Sequence, residues 1–207
     1  MAIVRKAGAN LAPGLKVTDM KNLRPPACLT ELIKIVRGDI TQQTTTAIVN
    51  AANTHLIAGS GVCGAIHRVA GPDLERVCRE IGECPVGGAR ITVSYDLPCE
   101  YVIHAVAPRY WDGTRGEPEL LTRCYQSIFE LTAEHGIESV SIPAIGTGIY
   151  RYPIEEATEI AFAATLAAQE KHSLSVEFVC FDEDTVSIYE QTSQLNPQLI
   201  SRNTPAA

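Results

Sequence analysis

Ser139-Val140-Ser141-Ile142-Pro143-Ala144-Ile145-Gly146-Thr147-Gly148-Ile149-Tyr150, with the helical stretch that follows it, decides the fold. Ser139 to Ile142 is a short β-rich run. Pro143 to Tyr150 is a glycine-bearing loop without a basic side chain. Pro153 then introduces Ile154 to Lys171, with Glu155 and Glu156 in the first turn and Lys171-His172 at the end. That charge order suits a helix dipole. Strand, glycine loop and helix in succession are the unit of an α/β sheet with parallel pairs.

The same alternation extends in both directions. Leu32 to Val36, Thr46 to Val49, Arg90 to Val93, Tyr101 to Val106 and Val176 to Cys180 read as strands. Several are apolar nearly throughout, as expected for strands covered on both faces. Glu117 to His135 reads as a helix, with Leu120, Leu121, Cys124, Tyr125, Ile128 and Phe129 on one face and Gly136 at the C-cap. Asp182 to Leu195 is expected to be a terminal helix. Residues 1–30, punctuated by Pro13, Gly14, Pro25 and Pro26, read as an N-terminal extension. The domain is expected over 31–196, with a polar tail over 197–207. No internal repeat or low-complexity segment is visible.

The chain has 207 residues, enough for one domain that buries roughly 70% of its unfolded surface. A net charge of −7 argues against general nucleic-acid binding, which rests on clustered Lys and Arg. No apolar run approaches the roughly 20 residues that span a bilayer, and Met1 to Leu15 lack a signal-peptide core. The 7 cysteines are odd in number and include no CxxC pair. Free thiols in a reducing cytoplasm are expected, not a disulfide framework or zinc ribbon.

Ligands of α/β sheets sit at the carboxyl ends of strands. Arg37-Gly38-Asp39-Ile40 follows the first strand. Asn50-Ala51-Ala52-Asn53 and then Gly59-Ser60-Gly61-Val62-Cys63-Gly64 follow the second, and Phe181-Asp182 the last. Two glycine loops at one sheet edge offer backbone N–H groups to an anion, and a small diphosphate suits them better than a polyanion. Alternatively, the glycines only make turns. Gly59 to Gly64 has G-x-G-x-x-G spacing, but nine polar-leaning residues separate it from the strand, so the dinucleotide fingerprint is discounted. Asn50 reads as a residue bracing the turn. Asn53 could bond a sugar hydroxyl or position a water. Asp39 either caps a turn or accepts from an exocyclic amine, as an adenine site requires. Cys63 and His67, four apart, could form a nucleophilic pair, against the simpler roles of a packed thiol and a satisfied imidazole. No His, Cys or Asp cluster has metal-ligand spacing, so no metal or other cofactor is expected.

These residues carry a resemblance. Gly38-Asp39-Ile40, Ile48-Val49-Asn50-Ala51-Ala52-Asn53, Gly61-Val62, Ala65-Ile66-His67-Arg68-Val69-Ala70-Gly71 and Ile142 to Tyr150 resemble a macro domain, in order, from about Leu32 to Leu195. The branch most similar is the MacroD type, with Arg151-Tyr152-Pro153 in place of its Gly-Tyr-Pro. The resemblance implies a three-layer α/β/α fold with a mixed, mostly parallel sheet, and an ADP-ribose site. It implies Asp39 on the adenine amine with Ile40 alongside, Phe181 beside adenine, and Asn53 on the distal ribose. Gly59, Ser60, Gly61, Val62 and Cys63 would wrap the diphosphate from one side. Ile145, Gly146, Thr147, Gly148, Ile149 and Tyr150 would do so from the other, with Tyr150 also on the distal ribose. Cys63 stands where MacroD-type enzymes carry an Asp assigned to activating water, as it does in alphavirus macro domains.

The function expected is hydrolysis of mono-ADP-ribose esters, on Asp or Glu of modified proteins or in O-acetyl-ADP-ribose. Asn53 and the position of Cys63 are the candidate catalytic residues. The alternatives are a reader that binds ADP-ribose without turnover, and a hydrolase with a covalent Cys63 intermediate. The expected partners are ADP-ribose, O-acetyl-ADP-ribose and mono-ADP-ribosylated proteins, with no membrane, and a monomer is expected.

Overall fold

The computed structural model describes residues 32–195; the extension over 1–30 and the whole of the tail over 197–207 expected from sequence lie outside the described residues. The strands are β1 (Ile33–Arg37), β2 (Ala47–Ala51), β3 (Ala89–Val93), β4 (Tyr101–Ala105), β5 (Ser139–Pro143) and β6 (Ser175–Cys180). The helices are α1 (Gly61–Ala70), α2 (Pro72–Ile81), α3 (Glu117–Glu134), α4 (Ile154–Gln169) and α5 (Glu183–Leu195). The strands form one sheet in the order β1-β6-β5-β2-β4-β3. All pairs are parallel except β3 with β4, so the sheet is mixed with an antiparallel edge.

Two buried clusters fill the two faces of the sheet. Val49, Ile103, Val140 and Phe178 pack with Tyr125 and Ile128 of α3, Phe162 of α4 and Tyr189 of α5. Ile48 and Val102 pack with Ile66 and Ala70 of α1 and Leu74 and Cys78 of α2. The period of two along β2 and β4 sorts neighbouring residues to opposite faces. The result is three layers, α/β/α.

Helix α2 was not among the elements expected from sequence. Its signals are present: Pro72 at the start, Asp73 and Glu75 in the first turn, and Arg79 in the last. Leu74, Val77 and Cys78 are buried at helical spacing, and Ile81 packs beside them. With half of its ten residues charged, it shows only this one narrow apolar stripe. Gly71 separates α1 from α2 at φ +81°, where a Cβ would come within 2.9 Å of an Asp96 carboxylate oxygen.

Candidate functional site

The five parallel strands all end at one edge, and their following loops enclose a groove of about 620 Å³. That volume is typical of a cofactor-sized ligand site. Asp39 and Ile40 follow β1, and Phe181 and Asp182 follow β6, at one end. The loop after β5 brings Gly146, Thr147, Gly148, Ile149 and Tyr150 to the middle. The loop after β2 brings Asn53, Gly59, Ser60, Gly61, Val62 and Cys63. Ala107, just past β4, closes the far end.

Asp39 caps the short 3₁₀ turn Ile40–Gln42: its Oδ1 accepts from the Thr41 backbone N–H at 2.9 Å and the Thr41 hydroxyl at 2.8 Å. Its Oδ2 has no protein donor among the described residues. The carboxylate thus caps the turn with one oxygen, and Asp39 also lines the groove. Phe181 is 81% exposed and Ile149 69% exposed, so two large apolar side chains stand free at the groove wall. Bare apolar groups so placed mark a binding surface.

The loop after β2 enters α1 through Ser60, whose side chain makes no cap bond. The first-turn amides of α1 are therefore uncovered and face a groove where an anion would be stabilised. Gly64 permits this entry: a Cβ there would sit 2.3 Å from the Gly59 carbonyl oxygen. On the opposite wall Gly146 is at φ +84°, and its carbonyl accepts from Tyr152 N at 3.0 Å. Arg151, itself at φ +58°, closes the loop by donating to Gly148 O at 2.9 Å. The amides of Gly148, Ile149 and Tyr150 have no acceptor among the described residues. Arg68 is the one cation among the described lining residues. It shares a face of α1 with Gly61 and Ala65, at i, i+4 and i+7, a spacing that could have revealed it from sequence.

The two asparagines after β2's apolar run differ from each other in burial and in role. Asn50 is not a turn residue. It is fully buried in β2, where its Nδ2 faces His104 Nδ1 at 3.1 Å and Cys63 Sγ at 3.8 Å. The strand runs two residues further than Val49, so period-two alternation aims Asn50 at α1. Asn53 is the loop brace. Its Oδ1 accepts from His55 N at 3.2 Å and Ile57 N at 3.3 Å, and its Nδ2 donates to Ile57 O at 2.7 Å. These bonds encircle Leu56, which is fully buried at φ +56°. A left-handed leucine is costly and persists only where its surroundings fix it. Asn53 still lines the groove, and its second Nδ2 proton is left for a ligand.

Ile145 was also expected to touch ligand. It is fully buried in the core cluster beneath its loop and does not line the groove.

Cys63 and His67 do not pair. Cys63 Sγ donates to Ile57 O at 3.6 Å and meets the Asn50 amide. Burial pushes its thiol above the ordinary value. His67 lies behind it, both ring nitrogens buried without a hydrogen-bond partner, and burial lowers its basicity. No ligating cluster is expected from the spacing in sequence, yet His67, Cys78 and His104 bring ligand atoms within 4.8 Å of one another. They come from α1, α2 and β4, so no spacing could show them. His104 is engaged on both nitrogens, by Asn50 at Nδ1 and by Thr92 Oγ1 at Nε2, 3.0 Å. With Nδ1 accepting, Nε2 carries the proton, and neither nitrogen is free to ligate. Asn50, His104 and Thr92 form a buried polar network beneath the loop, with His67 unbonded beside it.

Fold and groove define a class: an α/β/α domain with a cofactor-sized groove along one sheet edge, walled by the glycine loops after β2 and β5. A family model described as the macro domain matches residues 49–161. A macro domain-containing protein of Mesorhizobium japonicum is 50% identical over 159 residues, 76% of this chain and 90% of that protein. An O-acetyl-ADP-ribose deacetylase of Klebsiella pneumoniae is 44% identical over 164 residues, 76% of this chain and 94% of that protein. The Oceanobacillus iheyensis macrodomain, solved with ADP, superposes with a TM-score of 0.77 at 40% identity, covering 81% of this chain and 93% of that one. The chain belongs to the macro domain family.

Proposed function

We propose that the protein binds ADP-ribose along the groove and hydrolyses mono-ADP-ribose esters, including O-acetyl-ADP-ribose. The observation that carries this reading is the groove itself, with an acceptor at one end, two walls of free backbone amides in the middle, and Asn53 toward the other end. The relatives named as deacetylases and the neighbour solved with ADP support the same reading. Adenine lies at the β1/β6 end, its amine on Asp39 Oδ2 and its ring against Phe181. The diphosphate takes the α1 first turn and the Gly148 to Tyr150 amides. The distal ribose meets Asn53 and Tyr150.

Hydrolysis adds water across the ester, giving ADP-ribose and the free carboxylic acid. Cys63 is not the nucleophile: its thiol is neutral, and a neutral thiol attacks poorly. The bound diphosphate and the Asn53 loop instead hold the water against the reacting carbon, and orientation alone lowers a barrier by several kcal/mol. Incubation with O-acetyl-ADP-ribose tests this, with acetate release expected from wild type and from Cys63→Ala within tenfold. Loss of a thousandfold or more in Cys63→Ala would promote the covalent route.

One observation favours the second reading, a reader without turnover. The carboxylates among the described lining residues, Asp39 and Asp182, both lie at the adenine end. Among the described lining residues, none beside Asn53 is a carboxylate base. Tight ADP-ribose binding with no acetate release would establish that reading.

A further inference from the structure

The segment between β4 and α3 presents a surface that the ADP-ribose site does not use. Trp111 is 62% exposed, and it is the only tryptophan of the chain. The Arg109 guanidinium lies 5.9 Å from its ring centroid and that of Arg115 5.2 Å. The loop that carries them is fixed from inside. Glu117 is buried, and its Oε1 accepts from Trp111 N at 3.1 Å and Asp112 N at 3.4 Å, while Oε2 accepts from Arg115 N at 2.6 Å. These backbone bonds hold its carboxyl below the usual range, although burial alone would raise it. The surface is preorganised, so a partner meets it without the cost of ordering a loop.

Its place in the fold says what it faces. The sheet order places β1 and β6 at one end of the parallel strands and β4 at the other, beside the antiparallel edge strand β3. A ligand with its adenine at the β1/β6 end therefore points its distal ribose toward the end of β4. Ala107 lines the groove there, and Tyr110 N donates to Tyr150 O at 2.9 Å, so the Trp111 loop is tied to the groove wall. Whatever is attached to the distal ribose emerges beside this loop. Arg115 is partly neutralised by Asp112 at 3.5 Å. Arg109 has no carboxylate partner among the described residues. On a chain of net charge −7, an aromatic face bearing two exposed guanidinium groups matches an anionic partner.

We infer that Trp111, Arg109 and Arg115 receive the polypeptide flanking an ADP-ribosylated carboxylate, with preference for acidic sequence. The inference rests on the reading of the groove proposed above and names its substrate class: modified protein in preference to a free small ester. Carboxylates of the segment pair with the guanidinium groups, and its side chains lie on the indole.

The test is equilibrium binding with a peptide carrying ADP-ribose through an amide in place of the ester. Acidic and basic flanks of equal length are compared, alongside free ADP-ribose. The acidic peptide is expected to bind at least fivefold tighter than ADP-ribose or the basic peptide. It should also change Trp111 emission beyond the change given by ADP-ribose. Trp111→Ala and the pair Arg109→Glu with Arg115→Glu should abolish the advantage and leave ADP-ribose affinity within twofold. Equal affinity for both peptides and ADP-ribose overturns the inference, as does an equal loss for all three ligands in the variants. Displacement of the peptide by a short single-stranded RNA at comparable concentration also overturns it. If acidic-flank preference appears but the ester-linked peptide is not hydrolysed, the hydrolase reading fails and this inference stands. If ADP-ribose does not bind, both fall.

Discussion

Acidification from pH 7 to pH 5 should cost the fold about 2 kcal/mol through His104 alone. Burial pushes this imidazole down to about 3 from an ordinary value of 6.5, with the neighbouring His67 adding to the effect. The folded value lies below the unfolded one, so between those pH values the unfolded chain binds the extra proton. The stability is fully present above pH 6.5 and is lost as pH falls toward 3. Most of the loss between pH 7 and 5 falls below the unfolded value, where one proton costs about 1.4 kcal/mol per pH unit. His67, also lowered by burial, adds in the same direction. Glu117, Asp112 and Asp182 have depressed values, so their contribution is present above the ordinary carboxylate range and lost below it, largely outside this window. Urea unfolding at pH 7, 6 and 5 is the assay. The midpoint should fall by about 1 M over the two units at an m-value of roughly 2 kcal/mol/M. His104→Gln should be less stable at pH 7 and lose the larger part of the pH slope. A wild-type midpoint unchanged between pH 7 and 5, or a slope undiminished in His104→Gln, would refute the buried neutral imidazole.

Three further outcomes follow from the groove. Asp39→Asn keeps an oxygen for the Thr41 cap but turns a donor toward the adenine amine, so calorimetry should show ADP-ribose bound more weakly by roughly 1–3 kcal/mol with melting little changed. Asn53→Ala removes three bonds to the Leu56 loop, so it should weaken ADP-ribose affinity as well as turnover, each at least tenfold; a loss confined to kcat would return Asn53 to a purely water-positioning role. Gly64→Ala drives a methyl into the Gly59 carbonyl, so ADP-ribose affinity should fall more than tenfold while circular dichroism stays native. Unchanged affinity would mean that the α1 first turn does not hold the ligand.

The layered fold was legible because its strands are apolar on both faces and its longer helices carry caps and dipole-matched charges. Helix α2 was harder to see, being short and charged, and with it Cys78 was hidden. The site was legible where it depends on which loop follows which strand, as with Asp39, Gly146 and Phe181. It was not legible where it depends on the last residue of a strand. Reading β2 to Val49 instead of Ala51 makes Asn50 a turn residue and frees Asn53, whereas the alternation to Ala51 buries Asn50 against His104. Ile145 illustrates the same limit, since loop composition does not say which side chain turns inward. The Trp111 surface depends on the order of strands in space, which no local pattern encodes.

Ester hydrolysis in this groove is decided by single-turnover incubation with a protein mono-ADP-ribosylated on Glu. Chromatography of the products should show free ADP-ribose released and the protein returned to its unmodified mass, with Cys63→Ala still active. Retention of the modification by wild-type protein, while calorimetry shows ADP-ribose occupying the groove, would contradict it.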